Sequence, residues 1–143
     1  MAYQFGPSGP SDWVCLAQFS VTGSAASGTQ FTGTLYPNGF QNASQTPYIV
    51  PAGRVLHIGD MAVSGTVTTD AQIIFVVDGV TQGENFFLSD IVSSNSARMK
   101  PTQALVLGPA DSLAVSIILV AANPNTTAYT QNLKIAGVLL PAK

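Results

Sequence analysis

The sequence predicts an all-β protein, a single β-sandwich of jelly-roll type with about eight antiparallel strands and an extended N-terminal arm. Most apolar segments alternate with the two-residue period of strands. Clusters of Gly, Pro, Asn, Asp and Ser separate these segments. No stretch places apolar residues at i, i+3, i+4 and i+7 over three turns, so we predict no helix. We assign residues 1–11 to the arm and 12–143 to the sandwich domain.

An immunoglobulin-like sandwich is the alternative fold. It is less favoured because Trp13 and Cys15 lie on one predicted strand and the chain has no second cysteine.

The arm is rich in glycine and proline, which disfavour both a helix and a central strand. Tyr3 and Phe5 precede Pro7 and Pro10 in this segment. We expect the arm to bind a neighbouring chain, with the two aromatic rings as its anchors and the prolines keeping it extended.

Four strands are predicted in the first half of the domain. Residues 12–22 alternate with Cys15 on the inward side, and residues 30–36 form the second strand. Pro51, Ala52 and Gly53 break the apolar run at residues 47–63 into a short third strand and a longer fourth strand. In the fourth, at residues 54–63, Gly59 followed by Asp60 indicates a β-bulge.

The second half begins with the strand at residues 72–77. Asp78 and Gly79 form a dipeptide typical of a hairpin turn, so residues 80–88 are expected to return as a strand. A long polar connection follows at residues 89–101.

Residues 103–120 are predicted to form a hairpin of two facing strands, with Pro109 at the second position of a type I or II turn. On its second strand, the face that carries Leu113 is wholly aliphatic. The opposite face is small and only half polar, so we expect part of it to be covered as well. Residues 129–140 form the last strand.

The composition favours extensive protein contacts. Only 8% of the residues are charged and 46% are hydrophobic, whereas ordinary soluble domains have about 25% charged residues. The five Lys and Arg residues are spread along a chain of net charge −2, which argues against direct nucleic-acid binding. No apolar run approaches the roughly 20 residues of a membrane span. We also expect no signal peptide.

No residue pattern predicts catalysis, a metal or another cofactor, so we expect a protein that is not an enzyme. His57 is the single histidine, and we expect a structural role for it because a metal site or a catalytic triad needs further partners. Three of the acidic residues, Asp70, Asp78 and Asp90, fall at strand ends or turns, where Asp serves turn geometry. Cys15 is expected to be a buried, inert thiol.

Aromatic residues near amide-rich loops indicate an alternative function, that of a carbohydrate-binding or receptor-binding module that binds glycans. These residues are Tyr36, Phe40, Tyr48 and Tyr129. Capping of the sandwich ends by the same rings is the favoured interpretation.

Three segments, YIVPAGRVLHIGDMAVSG, IIFVVDGV and ALVLGPADSLAVSIIL, resemble the small jelly rolls of capsid decoration (cement) proteins and head fibres of tailed phages. These jelly rolls are similar in outline to the trimeric tumour-necrosis-factor and C1q-like fold. The resemblance covers residues 47–140 and rests on two structural motifs, a Pro-Ala-Gly turn that enters a strand and a Leu-Gly-Pro-x-Asp turn.

The resemblance implies a virion structural protein, made in the host cytoplasm, that binds the outer surface of a capsid as a homotrimer and stabilises the shell. It implies the major capsid protein as partner, held by the arm residues Tyr3, Phe5, Pro7 and Pro10. No catalytic residue is carried over, because the family has no shared catalytic motif.

Overall fold

A computed structural model of the chain describes residues 13–37, 44, 47–64, 67–82, 86–93, 98–99 and 105–143. Twelve strand segments and one helix lie in these ranges. The strands are β1 Trp13–Val21, β2 Gln30–Thr32, β3 Thr34–Pro37, β4 Tyr48–Ile49, β5 Arg54–Ser64, β6 Ala71–Val77, β7 Val80–Thr81, β8 Phe86–Phe87, β9 Arg98–Met99, β10 Leu105–Leu107, β11 Ser112–Leu119 and β12 Tyr129–Pro141. The helix α1 spans Leu88–Ser93.

The strands form two antiparallel sheets. Sheet A has the order β10-β5-β12-β1-β3, with β9 also paired to β5. Sheet B has the order β2-β11-β6-β7, with β4 also paired to β11 and β8 also paired to β6. Buried side chains from both sheets form one hydrophobic cluster, so the sheets pack face to face as a β-sandwich. The all-β prediction is confirmed.

The inward faces follow the predicted alternation. On β1, Cys15, Ala17, Phe19 and Val21 are fully buried. On β11, Leu113, Val115, Ile117 and Leu119 are buried in the same way. The predicted bulge in β5 is also confirmed, because Ile58 and Asp60 pair with adjacent residues of β12 while Gly59 has no partner in that register.

The predicted hairpin over residues 103–120 is wrong. Its turn exists: Asp111 N–H donates to the Gly108 carbonyl at 3.1 Å, and Ala110 at the third position has φ = 67°, as in a type II turn. The strands on either side belong to different sheets, since β10 pairs with β5 and β11 pairs with β6, β2 and β4. The turn therefore connects the two sheets.

The predicted strand at residues 30–36 is also divided between the sheets. It breaks at Gly33, where β2 pairs with β11 of sheet B and β3 pairs with β1 of sheet A. Gly33 N–H donates to the Val115 carbonyl at 2.7 Å. This corner brings the glycine against the ring of Phe19.

The expectation of no helix is wrong at α1, which lies in the stretch predicted as strand and polar connection. The helix has six residues, too few for a periodic pattern to show over three turns. Its residues Leu88 and Ile91, three positions apart, are both fully buried. A helix of this length is also far shorter than the roughly 20 residues needed to span a bilayer, and the described residues contain no helix that could do so.

Two loops at one end of the sandwich are tied together by hydrogen bonds. The loop after β1 meets the loop after β11 where Ser24 N–H donates to the Asn125 carbonyl at 2.8 Å and Asn123 N–H donates to the Ala25 carbonyl at 2.8 Å. The Asn123 side chain, which is buried, donates to the Thr22 carbonyl at 3.1 Å. These contacts hold the two loops as one unit.

Candidate interaction surfaces

The predicted binding residues of the arm, Tyr3, Phe5, Pro7 and Pro10, lie outside the described residues. The described part begins at Trp13, which pairs with Gly137 of β12 in sheet A. Trp13 is the first residue of β1, which lies between β12 and the edge strand β3.

His57 lies on the outer face of sheet A among aliphatic residues. Its lateral neighbours in the register are Val106 of β10 and Val138 of β12. Val55 and Leu140 form the next pair on the same face. We call these four aliphatic residues and His57 the sheet A patch. Neither lateral neighbour can exchange a proton with the imidazole, so the register gives His57 no catalytic partner there.

The carboxylates of three residues predicted to lie at strand ends or turns accept hydrogen bonds that hold the chain in place. Asp70 accepts from the Ala71 N–H at 2.9 Å and from the Ser89 N–H at 3.0 Å. Asp90 accepts from the Phe87 N–H at 3.2 Å. Asp70 lies at a strand end and Asp78 in a turn, as predicted, but the prediction for Asp90 is wrong because this residue lies in the first turn of α1. Among the described residues, no group of three or more His, Cys, Asp or Glu side chains could hold a metal ion.

Asp78 and Gly79 form the predicted turn between β6 and β7. Both have positive φ, at 50° and 79°, as a type I′ turn requires. The Asp78 carboxylate accepts hydrogen bonds from the Ser112 N–H at 2.8 Å and the Ser112 hydroxyl at 3.2 Å. Two hydrogen bonds lower the pKa of Asp78 below its ordinary value of 3.8. The bond from the Ser112 N–H has the larger effect, and a bond with the Asp111 side chain has the second.

This lowered pKa predicts an acid-sensitive contribution to stability. The folded state favours the ionised carboxylate of Asp78. Its contribution to the free energy of unfolding is therefore complete above the pKa of the unfolded state, and it is lost as the pH falls through the lower pKa of the folded state. We expect Asp78→Asn, which keeps an acceptor oxygen and tolerates positive φ, to lower the denaturation midpoint at pH 7. The difference from the wild type should shrink below about pH 4. Urea titrations between pH 2.5 and 7 measure this, and a difference that stays constant across that range would contradict it.

The three described aromatic residues among those considered for glycan binding do not gather on one surface. Tyr48 is only 4% exposed and belongs to the core, and Phe40 lies outside the described residues. Tyr36 pairs with Leu16 and Tyr129 pairs with Val21, five residues apart on β1, or about 17 Å. Tyr129 also packs against the core. These rings do not form a joint stacking platform.

The described strands of sheet B differ from those of sheet A in their charge. Among the residues that the structure assigns to this sheet, none is Asp, Glu, Lys or Arg, whereas the strands of sheet A include Arg54, Asp60, Arg98 and Lys134. Antiparallel sheets that face water normally carry polar residues on the outer side. Sheet B keeps polar residues on its outer side but, among its described strand residues, has none with a charge.

Aliphatic side chains occupy the centre of this face. Ile74 and Val76 of β6 point outward beside Ser116 and Ala114 of β11, and Ile49 of β4 is 49% exposed at the edge. Polar residues without charge, Gln30, Gln72, Ser112 and Thr81, lie around them. We call this set, with Thr32 and Ile118, the sheet B face.

Ser116 shows that this face is already partly shielded from water. It points outward and yet is only 3% exposed, and its hydroxyl lies 3.3 Å from that of Thr32. The expectation that part of this side of β11 is covered is therefore confirmed. Residue patterns alone could have indicated the face, since neither strand sequence of β6 or β11 contains a charged residue.

Cys15 is fully buried in the core, as predicted. Burial raises the pKa of its thiol to about 12. Because the thiolate is the reactive form, we expect native protein at pH 8 to react with an alkylating reagent about a thousand times more slowly than unfolded protein. Mass spectrometry after iodoacetamide treatment with and without guanidinium measures the two rates. Equal rates would contradict this interpretation.

No protein-family model matches the chain, and no curated protein matches it either. The fold and the placement of side chains are therefore the evidence on its function.

Proposed function

We propose that the sandwich is a jelly roll, and the nested strand pairing supports this. The first strand pairs with the last, β1 with β12, and the pairs β2 with β11, β5 with β10 and β6 with β7 follow inward. Such nesting is expected when one long hairpin is folded over into two sheets. Three short strands share the pairing partners of longer positions in this scheme. Like β2, β4 pairs with β11; like β7, β8 pairs with β6; and like β10, β9 pairs with β5.

The function that we propose is structural: a capsid decoration protein that binds the outer surface of a viral shell as a homotrimer and stabilises it. The observation that carries this proposal is the absence of charged residues from the strands of the sheet B face, since depletion of charge is typical of the core of a protein contact. The sheet A patch adds a second apolar area, with Val106 48% exposed. The resemblance of residues 47–140 to phage decoration proteins gives the proposal its viral context.

A non-enzymatic role is part of the proposal. The carboxylates of Asp70, Asp78 and Asp90 are committed to hydrogen bonds within turns and at α1, and the register places His57 between two valines. The separation of Tyr36 from Tyr129 along β1 favours this role over carbohydrate binding.

The first test is the mass of the protein in solution, measured by light scattering in dilute samples. We expect three times 14.8 kDa. A stable monomer would overturn the trimer.

The second test removes the arm. Residues 1–10 are deleted, and binding is measured by co-sedimentation with empty shells of the virus that encodes the chain, prepared without this protein. We expect the trimer to persist and shell binding to be lost. The double variant Tyr3→Ala, Phe5→Ala should lose binding as the deletion does, whereas Gln4→Ala in the same segment should retain it. Full binding by the deletion variant would refute the role of the arm.

A further inference from the structure

We propose that α1 is a latch that opens and closes by itself while the two sheets stay packed, and that the Asp70 carboxylate holds it closed. In the open state, the side chains of Leu88 and Ile91 leave the core and reach the surface. The inference does not depend on the viral role, because it rests on contacts within one copy of the chain.

The helix covers one side of the core, between the two sheets. It packs against β5 of sheet A and against β6 of sheet B. Its residues Leu88 and Ile91 are fully buried and belong to the hydrophobic cluster of the sandwich, whereas Ser89, Asp90 and Val92 are exposed. The helix is not a member of either sheet, so it can move outward without separating paired strands.

The length of α1 makes it unstable by itself. Its six residues form fewer than two helical turns, and isolated helices shorter than about 12 residues are marginal in water. Its closed position therefore depends on the packing of Leu88 and Ile91 and on polar contacts with neighbouring elements. Segments that depend on few such contacts are the ones that open locally in native proteins.

Asp70 makes polar contacts to α1 from a fixed position. Its carboxylate accepts hydrogen bonds from the Ser89 N–H at 3.0 Å and from the Ser89 hydroxyl at 2.8 Å. The same carboxylate accepts from the Ala71 N–H at 2.9 Å, and the Asp70 carbonyl accepts from the Val120 N–H at 3.0 Å. Asp70 is thus tied to β6 and to the end of β11. Opening of α1 must break both bonds from Ser89.

The segment that precedes α1 is anchored in the core. Phe86 of β8 is 3% exposed and pairs with Ile73 of β6. Its ring meets the ring of Phe75 edge to face, with the centroids 6.4 Å apart. The backbone rotation that opens α1 therefore falls between Phe87 and Ser89.

Native-state hydrogen exchange, followed by NMR at increasing urea concentrations, tests for a separate opening. The Val92 amide reports on α1, because helical spacing bonds it to the Leu88 carbonyl. The Leu133 amide reports on the sandwich, because β12 has paired strands on both sides at this residue. Relative to intrinsic rates, Val92 should exchange at least about 100-fold faster than Leu133, and low urea should accelerate Leu133 only. Equal protection with the same urea dependence would overturn the proposal.

Two aspartates provide a matched pair of variants. Asp70 accepts from the N–H and the hydroxyl of Ser89, and Asp78 accepts from the N–H and the hydroxyl of Ser112. Asn replaces either carboxylate without its charge and keeps one acceptor oxygen. The two variants therefore weaken the same kind of contact, at α1 in one case and away from it in the other.

Only the contact that opening breaks can change the opening equilibrium of α1. Asp70→Asn should therefore accelerate exchange at Val92 about tenfold. Asp78→Asn weakens a contact that stays intact when α1 opens, so it should accelerate Leu133 and leave Val92 unchanged. Acceleration of Val92 in both variants, or in neither, would overturn the proposal. Circular dichroism verifies that each variant is folded.

Ser89→Ala separates the Asp70 contact from helix propensity. The variant removes only the hydroxyl, and alanine has the higher helix propensity. Propensity alone would slow exchange at Val92, whereas loss of the bond to Asp70 predicts acceleration of about fivefold. Exchange that is slower than in the wild type, or unchanged, would refute the role of Asp70 as the group that holds the latch.

Discussion

Replacing Gly33 with alanine is expected to destabilise the protein by about 2 kcal/mol. A Cβ at this position would lie 2.7 Å from Cε1 and 3.0 Å from Cζ of Phe19. The Phe19 ring is fully buried in the core, so it cannot move aside without disturbing its neighbours. Moving the corner itself would strain the bond from Gly33 N–H to the Val115 carbonyl. Guanidinium unfolding followed by fluorescence measures the loss.

Two comparisons make this prediction specific. Gly59→Ala is the control, because among the described residues a Cβ there would meet only the Ala136 carbonyl oxygen at 4.0 Å, and we expect a change within about 0.5 kcal/mol. A double-mutant cycle with Phe19→Leu should show that the smaller side chain removes part of the cost of Gly33→Ala. Additive losses in that cycle would mean that the ring is not what restricts position 33.

Gly23→Ala is expected to have a larger effect, about 3 kcal/mol. A Cβ at Gly23 would clash with the Thr126 carbonyl oxygen and lie 2.6 Å from the Thr126 carbonyl carbon. Both are backbone atoms, so no side-chain rotation relieves the contact and the two loops must separate. The hydrogen bond from Ser24 N–H to the Asn125 carbonyl at 2.8 Å would be weakened with them.

Amide hydrogen exchange in Gly23→Ala should show where the damage lies. We expect faster exchange at Ser24 and Asn123, whose N–H groups join the two loops. Asp78 and Ser112, whose N–H groups bond to each other's residue at the opposite end of β11, should exchange as in the wild type. Uniform acceleration through both ends would contradict a local loop effect.

Local signals were sufficient to predict several features of this protein. Asp78 and Gly79 specify their turn because both positions need positive φ, which Asp tolerates and Gly favours. Gly59 marks the bulge in β5, and alternation identified the buried sides of β1 and β11. Each of these features depends on a few consecutive residues.

The partners of the strands could not be predicted in the same way. The segment at residues 103–120 reads as a hairpin, and its turn is present, yet β10 and β11 pair in different sheets. Residues 30–36 read as one strand, but Gly33 divides them between the sheets. Alternation with a two-residue period shows which side of a strand is apolar. The alternation is the same whichever strand lies beside it, so it does not identify the pairing partner.

By itself, the sequence determined the all-β class, the positions of the tight turns and the inward residues of the long strands. Only the tertiary structure decided which sheet each strand joined, where α1 interrupted the chain, and that Ile74 and Val76 lie beside Ser116 and Ala114 on one face of sheet B. The physical reason is that turn and strand preferences act between neighbours in the chain. The sheet B face is instead created by residues about 40 positions apart, which meet only when the two sheets close around their common core.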